Sequence, residues 1–316
     1  MTSISSGTRD TATATAHAKA ILVGEHSVVH GAPAIATPLD ALTITATAAR
    51  AAGPVTTLTT DDYMGSLDDA PEGLAPTVAA VRLAMDHVHA APLDVEVRNE
   101  VPLSAGLGSS AATAAAIVRA IARCADVDLD DATLHALVHQ AEQVAHGTPS
   151  GLDARTVVAP GPIWFQAGAA RTLPVGAAIT IVVADSGSRG STREMVAHVQ
   201  SLRRTEPDHV ADAIATLTQV VHDFAAALEV GDVDVLGRAM STAHAQLRGL
   251  GVSTSQLDAL VDAATTAGAA GAKLTGGGGG GCVLALAREA ADAPAIAAAL
   301  LAAGARATWT ATVEAT

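Results

Sequence analysis

Large side chains are scarce in this chain: its 316 residues include two Trp, two Phe and one Tyr against 74 Ala and 28 Gly. Five aromatics leave little surface for stacking bases. They also oblige the core to be built from Val, Leu, Ile and Ala in closely packed elements. Positive charge is short as well. Eighteen Lys and Arg face 32 Asp and Glu, a formal net charge of −14, and this excludes the basic footprint that nucleic acid or an anionic membrane requires. The two cysteines, Cys124 and Cys282, offer neither CxxC spacing nor a disulfide framework. They read as small buried hydrophobes in a reducing cytoplasm. Long apolar runs are missing too, because residues 290–305 are mostly Ala and are bracketed by Asp292 and Arg306, which predicts a buried helix and no membrane span. The first residues carry no apolar stretch of the signal-peptide kind. Rarest of the cations is lysine, present only as Lys19 and Lys273.

What remains, 49% hydrophobic and 16% charged residues, is the balance of a globular protein of one large or two ordinary domains. Residues 11–23 alternate small and polar side chains before a turn at Gly24, and 41–50 and 93–99 also read as strands. Helical patterns cover 76–90, 111–125 and 130–147, with loop-like sequence over 61–76. Residues 157–165 and 178–186 read as strands. Four long helices follow, over 192–204, 207–230, 232–249 and 255–270. The chain closes with strands at 282–287 and 305–313 around a helix at 293–303. Gly168, Pro174 and Gly176 interrupt the pattern, so the expected division is 1–172 and 173–316, each half α+β.

Four segments carry chemistry. In PLSAGLGSSAAT (102–113) a glycine turn runs into a helix. Gly106 and Gly108 allow close backbone approach, and the free N–H groups of the helix favour an anion, phosphate above all. Ser109 and Ser110 can donate to phosphate or lend an oxygen to Mg²⁺. A plain strand-to-helix turn is the structural alternative. The segment lacks the lysine of a Walker A loop. Gly106, Gly108 and Ala111 do match a dinucleotide fingerprint, but the acids some 20 residues on lie between helices instead of ending a second strand. In EQVAHGTPSGLDA (142–154) a turn can fold Glu142 and Asp153 toward one site, one as metal ligand and the other as general base; a solvated helix residue is the other reading of Glu142. His135 and His139 are spaced i, i+4 without the Glu of a zinc HExxH motif. In AHAKAILVGEHSVVHG (16–31) Lys19 lies beside an apolar run and close to Glu25 and His26, and suits a point-charge contact to a phosphoryl oxygen or reacting hydroxyl. In AKLTGGGGGGCVLAL (272–286), six glycines border Lys273 and enter an apolar strand. Ordering them costs entropy, which favours a backbone wall against a nucleotide or phosphate loop over a linker; no role is read for Lys273.

Together, in this order, these segments resemble the GHMP kinases, the superfamily of galactokinase, homoserine kinase, mevalonate kinase and phosphomevalonate kinase. The likeness runs from about residue 14 to 290. GEHSVVHG, HGTPSGLDA with GPIWF, GSRGSTREMV and KLTGGGGGGC resemble the mevalonate kinase branch in particular. The resemblance implies a two-domain α+β fold, with an N-terminal domain like ribosomal protein S5 domain 2, a ferredoxin-like C-terminal domain, and ATP in the cleft. It implies that residues Ser104, Ala105, Gly106, Leu107, Gly108, Ser109, Ser110 and Ala111 bind phosphate, with Ser110 and Glu142 as Mg²⁺ ligands. Asp153 and Lys19 match the catalytic pair. Glu25, His26, Thr192 and Arg193 fall on the substrate side, next to Ser191, and Gly276, Gly277, Gly278 and Gly279 form the glycine wall. The implied activity is ATP-dependent phosphorylation of the C5 hydroxyl of mevalonate in isoprenoid biosynthesis, by a cytoplasmic protein acting on small molecules. Another GHMP kinase, the related diphosphomevalonate decarboxylase, and a silent metabolite-binding relative are the alternatives. A homodimer is compatible with these features and not dictated by them. Three departures stand out: Ser104 and Ala105 leave the phosphate loop without its usual first glycine, Ala154 replaces an Asn after the aspartate, and the glycine run lacks the Ala often found within it. The run is therefore expected to keep its contacts with more flexibility.

Overall fold

A computed structural model describes residues 10–102, 105–146 and 149–316. The chain divides into two compact units, one of residues 1–18, 42–101 and 108–158, the other of 19–41, 102–107 and 159–316. Strands β1 (Thr11–Val23) and β2 (Ala34–Arg50) contribute residues to both.

In the first unit, β1 begins as the alternation predicts, with Ala12, Ala14, Ala16 and Ala18 buried and Thr11, Thr13 and Thr15 exposed. β3 (Thr57–Thr60), β4 (Tyr63–Ser66) and β5 (Leu93–Asn99) extend the sheet in the order β4-β3-β5-β2, with β3 parallel to β5 across the helix α1 (Ala75–Val88). The strand β4 corrects the expectation of a loop over 61–76; its residues pair with β3 despite their turn-like composition. The central helix is α2 (Ser109–Cys124), whose Ala111, Ala112, Ala114, Ala115, Ala116, Ile117, Val118 and Ala120 are all buried. Alanine makes this possible: without long side chains, α1, α3 (Asp131–His146) and α4 (Leu152–Val158) can all pack against α2. α4 is a second correction. The β-branched pair Val157 and Val158 suggested a strand from 157, yet Thr156 Oγ1 donates to the Leu152 carbonyl at 2.7 Å and the strand starts only at β6 (Ile163–Gln166).

In the second unit, β2 pairs with β6, and β6 with β7 (Ala169–Thr172) through a turn at Ala167 and Gly168, both at positive φ. A second sheet has the order β11-β8-β10-β9, formed by β8 (Ile179–Asp185), β9 (Gly271–Thr275), β10 (Cys282–Leu286) and β11 (Ala307–Val313), all antiparallel. This is the ferredoxin-like order. Between β8 and β9 run α5 (Thr192–Thr205), α6 (Pro207–Val230), α7 (Val233–Gly249) and α8 (Ser255–Thr266), and α9 (Ala293–Ala302) precedes β11. Every residue of β8, β9 and β10 is buried. Among the described residues no helix is long and apolar enough to cross a membrane.

Candidate active site

In the second unit the apolar end of β1 delivers Lys19 and then Gly24, Glu25 and His26. Gly24 has φ +104°, and a Cβ there would lie 2.5 Å from Ala34 Cα, so only glycine fits the turn. The next residue is strained. His26 has φ 60° and ψ −44°, and Ser27 N–H donates to the Glu25 carbonyl at 2.7 Å, which makes His26 the centre of a left-handed γ-turn. Lys19 is 3% exposed. Its backbone N–H donates to Leu107 O at 2.9 Å and its Nζ to Gly106 O at 3.1 Å, so the lysine is held on the phosphate loop.

Below the turn lies β9. Lys273 Nζ donates to Glu25 Oε1, and neither side chain reaches solvent. Burial pushes the Glu25 carboxyl up and the Lys273 ammonium down, and their mutual attraction opposes both shifts. Thr275 Oγ1 accepts from Ile21 N–H and donates to Ile21 O, each at 3.1 Å. The His26 ring pairs through Nε2 with Gly277 O at 2.9 Å, and because a carbonyl oxygen only accepts, Nε2 carries the proton and donates; burial lowers the ring's pKa.

The glycine run is packed, not loose. A Cβ on Gly278 would overlap Val252 O, one on Gly277 would sit 2.7 Å from Thr192 Oγ1, and one on Gly276 3.1 Å from Gly106 Cα. Gly279 N–H donates to Val252 O at 2.8 Å and Gly281 N–H to Ser188 O at 2.9 Å. The run thus touches the phosphate loop on one side and the 188–192 segment on the other. Ser191 caps α5 by accepting from Glu194 N–H at 3.3 Å; Thr192 and Arg193 are exposed in its first turn. Arg189, a residue the motifs did not single out, binds both carboxylate oxygens of Asp185 at 2.6 and 2.9 Å.

The first unit holds the other half of the motif residues. Gly108, at φ 66°, is the N-cap of α2 and supplies no side chain, and no acid lies in the first turn, which leaves the helix N–H groups open to an anion. Ser109 Oγ accepts from Asn99 Nδ2 at 3.1 Å, and Asn99 Oδ1 accepts from Val101 N–H at 2.8 Å. Nothing in the sequence around Asn99 distinguished it beyond its place at the end of a strand. Ser110 Oγ is buried and has no hydrogen-bond partner among the described residues. Ala105, Leu107 and Ala111 are buried, and Ser104 lies outside the described residues. Glu142, 3% exposed, is on α3, and Asp153 opens α4 just after Gly151 at φ 86°. Since α2, α3 and α4 pack on one another, Ser110, Glu142 and Asp153 lie on three contacting helices. A hydroxyl and a carboxylate are the hard oxygen donors that Mg²⁺ takes beside nucleotide phosphates, and the orphaned Ser110 Oγ fits such a ligand. Among the described residues there is no group of three or more His, Cys, Asp or Glu able to hold a metal by itself.

A helix start with open N–H groups, a buried lysine on the loop before it and a ferredoxin-like second unit are the features expected of a small-molecule kinase. Residues 76–161 match the family model for the GHMP kinases N terminal domain and 224–306 that for GHMP kinases C terminal, and the chain belongs to this family. Within it the similarity is to mevalonate kinases. The mevalonate kinase of Pyrococcus horikoshii is 36% identical over 310 residues, covering 90% of this chain and 92% of the relative. That of Thermococcus gammatolerans is 35% identical over 299 residues, with 87% and 89% covered. Among solved structures, L. major mevalonate kinase in complex with R-mevalonate superposes with a TM-score of 0.87 at 27% identity, covering 98% of each chain. The mevalonate kinase of methicillin-resistant Staphylococcus aureus gives 0.75 at 30% identity over 96% of this chain and 99% of that one.

Proposed function

We propose that this protein is an ATP-dependent mevalonate kinase, transferring the γ-phosphoryl group of ATP to the C5 hydroxyl of mevalonate to form 5-phosphomevalonate. The observation that carries the reading is Lys19: a buried ammonium bonded to the Gly106 carbonyl, in the loop that leads to the open N-terminus of α2. Phosphoryl transfer asks for positioning and charge stabilisation more than for covalent chemistry by the protein. Residues 104–111 bind the phosphates through backbone N–H groups, with Gly276, Gly277, Gly278 and Gly279 as the wall that backs the loop. Asp153 orients or deprotonates the acceptor hydroxyl, and Lys19 offsets charge on the transferring group. Glu25, His26, Thr192 and Arg193 serve the acceptor, Arg193 by pairing with its carboxylate. Ser110 and Glu142 would hold Mg²⁺, which neutralises phosphate charge when bound. Two buried free thiols, Cys124 and Cys282, support a reducing, cytoplasmic setting.

An ADP-release assay with mevalonate, phosphomevalonate, homoserine and galactose tests the acceptor. ADP formation is expected with mevalonate. Release with another acceptor and none with mevalonate would reassign the substrate, and ATP binding without ADP release across the panel would mark a silent relative.

A further inference from the structure

Lys273 is the one prominent sequence feature to which the proposed reaction gives no part, and its surroundings assign it one. It is 0% exposed, so it meets no substrate. Its ammonium has three donors and no acceptor, and the three are matched by Ile21 O at 3.3 Å, Leu274 O at 2.6 Å and Glu25 Oε1. Glu25 is the opposite case, because its Oε2 is buried without a hydrogen-bond partner among the described residues. An ion pair this deep is weak evidence of a stabilising role, since apolar replacements of both partners are often neutral or better.

The same floor also holds the neighbouring residue. Gly277, two residues beyond the end of β9, takes the Nε2 proton of His26, and His26 sits at the centre of the γ-turn that begins with the Glu25 carbonyl. Its Nδ1 is likewise buried and without a partner among the described residues. A strained turn is therefore pinned from below at both residues, and each is left with one unused acceptor.

We propose that Lys273 is a positioning residue for the acceptor alcohol: by engaging Glu25 Oε1 from below it fixes the strained Glu25–His26 turn in the conformation that the acceptor side of the site requires. This rests on the reading that Glu25 and His26 face the acceptor. A positioning role differs from a structural one in which constant it moves. A loss confined to stability leaves the kinetic constants of the folded enzyme unchanged, whereas loss of Glu25 orientation raises the acceptor KM and spares ATP.

The test is a double-mutant cycle on the full chain with Lys273→Met, Glu25→Gln and both together, reading acceptor KM, ATP KM, kcat and Tm. Each single variant is expected to raise acceptor KM about tenfold or more, as loss of a supporting partner does elsewhere, with ATP KM within about twofold. The double variant should be no worse than the worse single, because both act through one carboxylate. A lower Tm with an unchanged acceptor KM for Lys273→Met, or additive losses, overturns the proposal. If Glu25→Gln itself leaves acceptor KM unchanged, the fault lies in the placement of Glu25 beside the acceptor; if only Lys273→Met is silent, it lies in the role given to Lys273. Should Lys273→Met not fold, Lys273→Met with Glu25→Leu supplies an apolar pair, and a normal acceptor KM in that variant overturns the proposal equally.

Discussion

The duties proposed for Asp153 and Glu142 differ, and single substitutions separate them. Asp153→Asn keeps the shape of the side chain and removes the proton acceptor. It is expected to lower kcat by at least about 10²-fold, the usual range for general-base loss, with ATP KM nearly unchanged. Near-normal turnover would reject the assignment. Glu142→Gln removes a charged ligand and leaves a carbonyl oxygen, so the expected result is a higher Mg²⁺ requirement, on the order of tenfold, in ADP release titrated with Mg²⁺. An identical titration would count against Glu142 as a ligand, whatever happened to kcat. Ser110→Ala gives the companion measurement, since its orphaned Oγ is the other donor on this face. Residue by residue, Lys19 stood out because lysine is so rare here. Lys273 was equally rare, and its part was invisible from sequence for a physical reason: Glu25 lies 248 positions away, and only the packing of β9 against the end of β1 and the turn after it brings the two charges together.

At the scale of elements, the glycine run shows how backbone approach dictates composition. Gly278 has φ +80°, and any side chain there would collide with the Val252 carbonyl. Left-handed φ costs a non-glycine residue roughly 1–2 kcal/mol before any clash is counted. Gly278→Ala is therefore expected to lower Tm and raise the KM for ATP, because the loop it distorts also abuts Gly106; an unchanged KM for ATP would remove the wall from the nucleotide side. The link between β1 and β9 supports a second expectation. Thr275→Val deletes the hydroxyl that serves both Ile21 N–H and Ile21 O, which takes a buried partner from the N–H and leaves the carbonyl with the Lys273 ammonium at 3.3 Å. About 1–3 kcal/mol of stability should be lost, read as a lower denaturation midpoint at constant m. Elements with a clean period were legible from the sequence. β1 alternates, and its predicted limits hold at 11–23; β5 holds at 93–99, and the helices from 192 to 249 lie within about a residue of their expected ends. Short pieces were not. β3, β4, β7 and β9 have four or five residues each, too few to establish a period, and α4 hides two β-branched valines in its last turn.

For the molecule as a whole, the acidity and the histidines set how it responds to pH. A chain at −14 that takes anionic substrates must present local positive potential, and the open N–H groups at the start of α2 are the means proposed for it in a chain with very few cations. Several histidines are kept neutral in both units. Burial lowers His26, His30 and His244, and His135 falls to about 4 through burial and the nearby Arg155 and His139. For each, the unfolded chain binds a proton more readily than the folded one. Their contribution to stability is therefore complete above the unfolded value of about 6.5 and is lost as pH falls through the folded values. Tm should decline steadily from pH 7.5 to 5.5 at constant ionic strength, a range above the isoelectric point of about 5.1, where vanishing charge would favour association. Glu25, raised by burial, contributes with the opposite sign, so the sharper measurement is on a single histidine. His135→Asn cannot take up a proton in either state, and its Tm should fall less steeply over the same interval. Equal slopes for the two proteins would mean that His135 is not held neutral by the fold.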